Sequence, residues 1–269
     1  MNKSAIGVFD SGVGGLSCVK ELLHILPGED IKYLGDTLRM PYGIKTIEEL
    51  HHCAKDNVAF LQRRGVKLIA AACGTISSNV PEEHMDNLAV PFVDVIKPTV
   101  NAALKATKNK RIGIIATPAT VKSNSMGKRL KEIDSAIEII SVGCTDFVPL
   151  IESGHICDDA IRTSAEGYLA EIKAFGVDTL ILGCTHYPII SKVISDIMGD
   201  GVTLIDSGRE TAIGIKMMLE KLELLSDRQH GGSAEYFVTN NTPNNGTSTT
   251  AAGTTSTAAR KIRIITFLL

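Results

Sequence analysis

Short apolar runs alternate with amphipathic stretches along most of this chain, and that alternation is what most limits how it can fold. Runs of strand length occupy residues 5–9, 31–35, 67–72, 90–95, 111–116, 137–142, 178–182 and 202–205. Patterns of helical period occupy 16–25, 47–64, 120–133, 160–175, 189–198 and 211–224. Strands that alternate with helices are joined by right-handed crossovers and pair in parallel. The runs are apolar throughout rather than at every second residue, which suits sheets covered on both faces. The fold class is therefore α/β, with mostly parallel sheets flanked by helices. A chain of 269 residues suffices for one large domain or two of moderate size.

A weak internal repeat favours two. IGVFDSG (6–12) opens one half, and RIGIIATPAT (111–120) holds the corresponding position in a second. At a similar distance downstream, each half has a strand that ends in a cysteine, in AACGT (71–75) and LGCTH (182–186). Such halves predict two domains facing each other across a cleft, with one cysteine from each. We place the first domain at residues 1–96 plus 207–238 and the second at 97–206. Residues 239–269 form a tail. Its first part, TNNTPNNGTSTTAAGTTSTAA, cannot bury a core and is read as disordered, whereas the final RKIRIITFLL is strand-like.

A net charge of −2 gives no general electrostatic basis for binding nucleic acid or acidic membrane. No apolar run is long enough to cross a bilayer. The start, MNKSAIGVFD, becomes strand-like within a few residues and leaves no room for a signal peptide, so a cytoplasmic location is expected. The cysteines (Cys18, Cys53, Cys73, Cys144, Cys157 and Cys184) are scattered and include no CxxC pair, so reduced thiols are expected. The histidines do not cluster with them at zinc spacing, and no metal site is expected.

In parallel α/β sheets, ligands gather beyond the carboxyl ends of the strands. Sorted by that rule, the first half delivers Asp10 and Ser11, then Asp36, Thr37, Pro41, Tyr42 and Gly43, then Cys73, Gly74 and Thr75. The second delivers Thr117, Thr120, Glu152, Cys184, Thr185 and His186. Together they are expected to line one small polar cleft. DSGVGG lacks the spacing of a phosphate-binding loop; it is a tight turn capped by Asp10, a ligand loop, or both. Cys18, Cys53, Cys144 and Cys157 are read as structural. Cys73 and Cys184 differ from them in lying at strand ends before hydroxyl residues. A cysteine hydrolase needs one thiol with an activating histidine, and a dithiol redox enzyme needs both thiols in one short motif. Two single thiols from opposed halves fit two bases flanking one carbon. An unperturbed thiol has a pKa of about 8.5, so a neighbour such as Asp10 or His186 must adjust it to populate thiolate at neutral pH. His186 is open to reading as a base, a substrate ligand or a loop anchor. Tyr42 is open to reading as a packed rim residue, and Glu152 as a solvated helix carboxylate.

Six motifs, in order, carry a resemblance: IGVFDSGVGGLS (6–17), YLGDTLRMPYG (33–43), AACGT (71–75), IGIIATPAT (112–120), VPLIESG (148–154) and LGCTHYP (182–188). They resemble the glutamate racemases, cofactor-independent amino-acid racemases of bacteria. The resemblance implies two α/β domains related by a pseudo-twofold axis, the active site between them, and a homodimer. It implies interconversion of L- and D-glutamate for peptidoglycan synthesis, without nicotinamide or pyridoxal phosphate and without nucleic-acid or membrane partners. By motif position, Cys73 is the base for the D-enantiomer and Cys184 for the L-enantiomer, with Asp10, His186 and Glu152 as auxiliary acid/base groups. Ser11, Pro41, Tyr42, Gly43, Gly74, Thr75, Thr117, Thr120 and Thr185, with Asp10 and His186, fall at substrate-binding positions.

The chain departs from the pattern twice. Gly74 stands where the family has asparagine, and the usual charged terminal helix is absent after Val238. A lost hydrogen bond to a charged group costs about 1.5–3 kcal/mol, so Gly74→Asn is expected to raise kcat/KM for glutamate. The competing readings are a racemase of aspartate or a related acid, and a weakened or non-catalytic ligand-binding homologue.

Overall fold

The computed structural model describes residues 4–80 and 88–239, and the backbone of 259–262. Two sheets organise the chain. In the first, β1 (Ile6–Asp10) lies between β2 (Ile31–Gly35) and β3 (Leu68–Ala71), and β4 (Phe92–Val93) lies beyond β3. In the second, β5 (Arg111–Ala116) lies between β6 (Glu138–Gly143) and β7 (Thr179–Leu182), and β8 (Thr203–Asp206) lies beyond β7. All of these pairs are parallel. The order 2-1-3-4 in one sheet returns as 6-5-7-8 in the other, so the weak sequence repeat is a repeat of topology. It puts the ends of β3 and β7, and therefore Cys73 and Cys184, at equivalent places.

Helices cover both faces of each sheet, as the unbroken apolar strands require. On the first sheet, α1 (Leu16–Ile25) and α10 (Ser207–Lys221) pack Leu22, Ile215 and Leu219 against Ile6 and Val8. The other face takes α2 (Ile47–Gln62), whose Leu50, Val58 and Leu61 meet Phe9, Leu34 and Ile69. This helix begins in a capping box in which Thr46 and Glu49 satisfy each other's backbone N–H. On the second sheet, α8 (Asp159–Phe175) and α9 (Ser191–Met198) cover one face; α4 (Ile96–Ala106) and α6 (Ser125–Ile133) cover the other.

Three short helices lie at the strand ends: α3 (Gly74–Asn79), α5 (Pro118–Ser123) and α7 (Phe147–Glu152). The continuous helix expected over 120–133 is divided, because Asn124 adopts a left-handed conformation (φ 53°) between α5 and α6. Asparagine tolerates that region far better than most residues. The helices α3 and α4 lie in stretches where the sequence reading assigns no helix, and α7 is anticipated only at Glu152, read as a helix carboxylate.

The first sheet extends past the repeat. β9 (Ala234–Thr239) pairs in parallel with β2, and β10 (Ala259–Ile262) pairs antiparallel with β9. The start of the strand-like terminus therefore adds to the sheet edge. The disorder expected over 239–259 does not hold at its two ends, where Thr239 closes β9 and Ala259 opens β10; residues 240–258 and the remainder of the terminus lie outside the described residues. A buried ion pair, Lys67 Nζ to Glu29 Oε2 at 2.6 Å, fixes the segment leading to β9. Lys67 also donates to the Leu224 carbonyl, and Glu29 accepts from Ser226 N–H. No helix among the described residues is long and apolar enough to cross a membrane.

Candidate active site

The carboxyl ends of the two sheets enclose a cavity of about 440 Å³. Ser11, Pro41, Tyr42, Gly43, Cys73, Gly74 and Thr75 line it from the first half, and Thr117, Glu152, Cys184, Thr185 and His186 from the second. Four expected residues, Asp10, Asp36, Thr37 and Thr120, are not part of this wall. Thr120 is buried with its hydroxyl 3.0 Å from that of Thr117 and 3.5 Å from that of Thr75. Asp10 is fully buried, and its Oδ2 accepts from the backbone N–H groups of Gly12 (3.2 Å) and Gly15 (2.9 Å). The DSGVGG turn is thus organised by Asp10. The wall also includes Met40, Ile44, Cys144, Thr145, Val148 and Pro149, which sequence reasoning does not assign to it. For Cys144 a signal is present: it follows β6 directly, as Cys73 and Cys184 nearly follow their strands.

Asp36 and Thr37 are expected at the rim; Asp36 is instead fully buried beneath it. Its Oδ2 accepts from the Tyr42 hydroxyl and from Arg39 Nε (2.6 Å), and its Oδ1 accepts from Thr239 Oγ1 (2.8 Å). Asn57 Nδ2 donates to the Tyr42 oxygen at 3.0 Å, while Thr37 Oγ1 donates to the Thr239 carbonyl at 2.7 Å. The loop that carries Pro41, Tyr42 and Gly43 to the cavity is therefore held from below by the end of β9. Burial, and then the Asp36 charge, push the Tyr42 phenol far up, so the hydroxyl is a neutral donor. Asp36→Asn cannot accept all three donors and is expected to lower stability by about 1–3 kcal/mol. Urea denaturation checks this: an unchanged midpoint and slope would show that the Arg39–Asp56 pair (2.7 Å) holds the loop by itself.

Cys73 precedes α3 and Cys184 follows β7; they are 5% and 7% exposed. Burial pushes the Cys184 thiol up to about 12, with hydrogen bonding from the His186 backbone working the other way and the Asp10 charge adding to the rise. Cys73 is pushed higher, by burial and then by Asp10. The two thiols have different polar neighbours. His186 Nδ1 lies 3.8 Å from Cys184 Sγ, and its Nε2 lies 3.0 Å from Glu152 Oε1, so a carboxylate orients an imidazole toward this thiol. Among the described residues no equivalent side chain serves Cys73. The charge that most raises it is Asp10, whose Oδ1 is buried without a hydrogen-bond partner among those residues. Cys18 and Cys53 are buried on helices, as expected of structural thiols, whereas Cys157 is exposed.

The halves meet closely along this cleft. Ser17 Oγ donates to the Thr185 carbonyl at 2.8 Å, and the hydroxyls of Thr75 and Thr117, one from each half, are 3.1 Å apart. Two repeated α/β halves, each offering one buried thiol to a shared cavity, define the class as a two-domain α/β protein with a thiol on each wall of the cleft between them. The chain belongs to the Asp/Glu/hydantoin racemase family, whose pattern residues 6–213 match. It is 41% identical to a glutamate racemase from Geobacter metallireducens over 234 residues, 87% of each chain. Among solved structures it is similar to a glutamate racemase from Bacillus anthracis, with a TM-score of 0.85, 34% identity and 90% of each chain covered. It is also similar to the Francisella tularensis glutamate racemase in complex with D-glutamate (TM-score 0.81, 36% identity, 90% of each chain).

Proposed function

We propose that this chain is a glutamate racemase that interconverts L- and D-glutamate by two-base chemistry and supplies D-glutamate for peptidoglycan. The observation that carries the reading is the pair Cys73 and Cys184, at equivalent strand ends of two like sheets and in the wall of one cavity. One thiolate takes the Cα proton, breaking the C–H bond and leaving a planar carbanion. The opposite thiol then delivers its proton to the other face and is left as thiolate, so protons balance and the site ends in the mirror-image state. For L-glutamate the base is Cys184 and for D-glutamate Cys73. His186, held by Glu152, assists Cys184, and Asp10 is the corresponding neighbour of Cys73.

Racemisation also needs fixed donors for the carboxylates. Ser11, the backbone N–H groups of Tyr42 and Gly43, and Thr75 from the first half, with Thr117 and Thr185 from the second, present them, and Thr120 supports from behind. The bound ammonium group favours thiolate in a cavity where burial alone opposes it. The same reading takes 1–96 with 207–238 as one domain and 97–206 as the other, two copies as the working form, and the cytoplasm as its location.

Incubation with L- or D-glutamate in deuterated water tests it. Deuterium enters Cα from either enantiomer, and each converts to the other. Exchange into aspartate with none into glutamate rejects the reading.

A further inference from the structure

Gly74 needs a reason to be glycine. Its φ is not positive, so any L-residue fits the backbone, and glycine opening α3 is entropically the poorer choice. The reason lies across the cleft. A Cβ built on Gly74 would overlap the carbonyl oxygen of Gly183, deep inside van der Waals contact; the next atom from the second half, beyond that carbonyl, is Thr120 Oγ1 at an ordinary 3.9 Å. Gly74 directly follows Cys73, and Gly183 directly precedes Cys184, so this contact joins the peptides that carry the two thiols.

Neither side can yield locally. Gly183 N–H donates to the Ile115 carbonyl at 2.8 Å, at the end of a strand paired on both sides. α3 is fixed from behind: Ser77 Oγ donates to the Ala71 carbonyl at 3.3 Å and accepts from Val95 N–H at 3.2 Å, and Ser125 Oγ donates to the Ser78 carbonyl at 2.6 Å. The seam is equally tight at Gly14, where a Cβ would overlap the His186 ring.

We propose that Gly74 is a positioning residue that sets how closely the two thiols approach, and that any side chain there holds the halves apart. The inference rests on the racemase reading for its consequence, though not for its geometry. It reverses the expectation for Gly74→Asn: the amide enters only by opening the cleft, so kcat/KM falls rather than rises.

The test compares wild type, Gly74→Ala and Gly167→Ala; the last adds a methyl at an open helical position with nothing within 4 Å. Displacing a catalytic group by about 1 Å costs on the order of a hundredfold in rate. Gly74→Ala is therefore expected to lose about that factor in kcat/KM in both directions, mainly in kcat, while its circular dichroism stays that of the folded wild type, and Gly167→Ala keeps wild-type activity. Crystal structures of wild type and Gly74→Ala should show Cys73 and Cys184 farther apart in the variant. Wild-type kinetics in Gly74→Ala, or a crystal structure in which the added methyl fits with Gly183 unmoved, overturns the proposal. Wild type that does not racemise glutamate removes the racemase reading and leaves the crystallographic comparison to decide the contact.

Discussion

Cys73→Ser and Cys184→Ser are each expected to lower glutamate racemisation in both directions by on the order of 10²–10⁴, the range over which a positioned acid or base contributes to rate. Serine keeps the shape of cysteine and its capacity to hydrogen-bond, so the variants separate acid–base chemistry from packing. A buried hydroxyl, however, does not ionise near neutral pH. Both directions suffer in each variant because every turnover uses both groups, one to accept and one to donate. Proton exchange without inversion then distinguishes the two. Cys184→Ser should stop loss of the α-proton from L-glutamate while D-glutamate can still give its proton to Cys73; Cys73→Ser should show the reverse. Cys157→Ser, at an exposed thiol away from the cavity, is the control. Racemisation within threefold of wild type in either cavity variant would falsify the two-base assignment.

That pair of thiols is legible in the amino-acid sequence because two rules meet on the same residues. Apolar runs locate the strand ends, and repetition matches one strand end to another. The same strand-end rule succeeds for Ser11, Pro41 to Gly43, Thr117 and His186, all of which reach the cavity. It fails for Asp36, which a one-dimensional reading cannot distinguish from a rim carboxylate. What buries Asp36 is a set of donors from three separate segments: Arg39 and Tyr42 nearby, Asn57 beneath Tyr42 on α2, and Thr239 at the far end of β9. By composition Thr239 opens a disordered tail; in the fold it is the last residue of a strand, and its hydroxyl closes the network.

The helix α3 is hidden for a different reason. GTISSN has weak helical propensity, and serine and asparagine compete for backbone groups. Here those side chains are satisfied by hydrogen bonds: Ser77 with the Ala71 carbonyl and Val95 N–H, and Asn79 with the Thr75 carbonyl. Context sets the conformation. For α5 the signs are present, since Thr117 caps the helix by accepting from Thr120 N–H and Pro118 takes the first turn, but an apparently continuous period masks the break at Asn124. Gly74 shows the sharper limit. By motif alone it is a missing amide, a weakness open to repair. Only the position of Gly183, more than a hundred residues away in the chain, shows that there is no room for the repair.

The pH dependence of kcat/KM should rise steeply where an activated thiolate enzyme would be flat. The base is the deprotonated thiol, so its abundance grows with pH, about tenfold per unit while pH stays well below the pKa. Burial holds Cys184 at about 12 and Cys73 higher still, so both are protonated at neutral pH before substrate enters. Because kcat/KM reports groups of the free enzyme, it is expected to climb about a hundredfold between about pH 6 and 8. The profile of kcat reports the complex instead. There the ammonium group of glutamate lies beside the thiols and draws the pKa of the base downward, so kcat should level off at lower pH than kcat/KM. Steady-state kinetics at fixed ionic strength gives both curves from one data set. A kcat/KM that is flat across this window means that one thiol is already ionised without substrate. Since Cys184 alone has an imidazole and carboxylate behind it among the described residues, Glu152→Gln should then restore the slope. It should do so equally for L- and D-glutamate, because enantiomers have the same free energy and kcat/KM must match in the two directions.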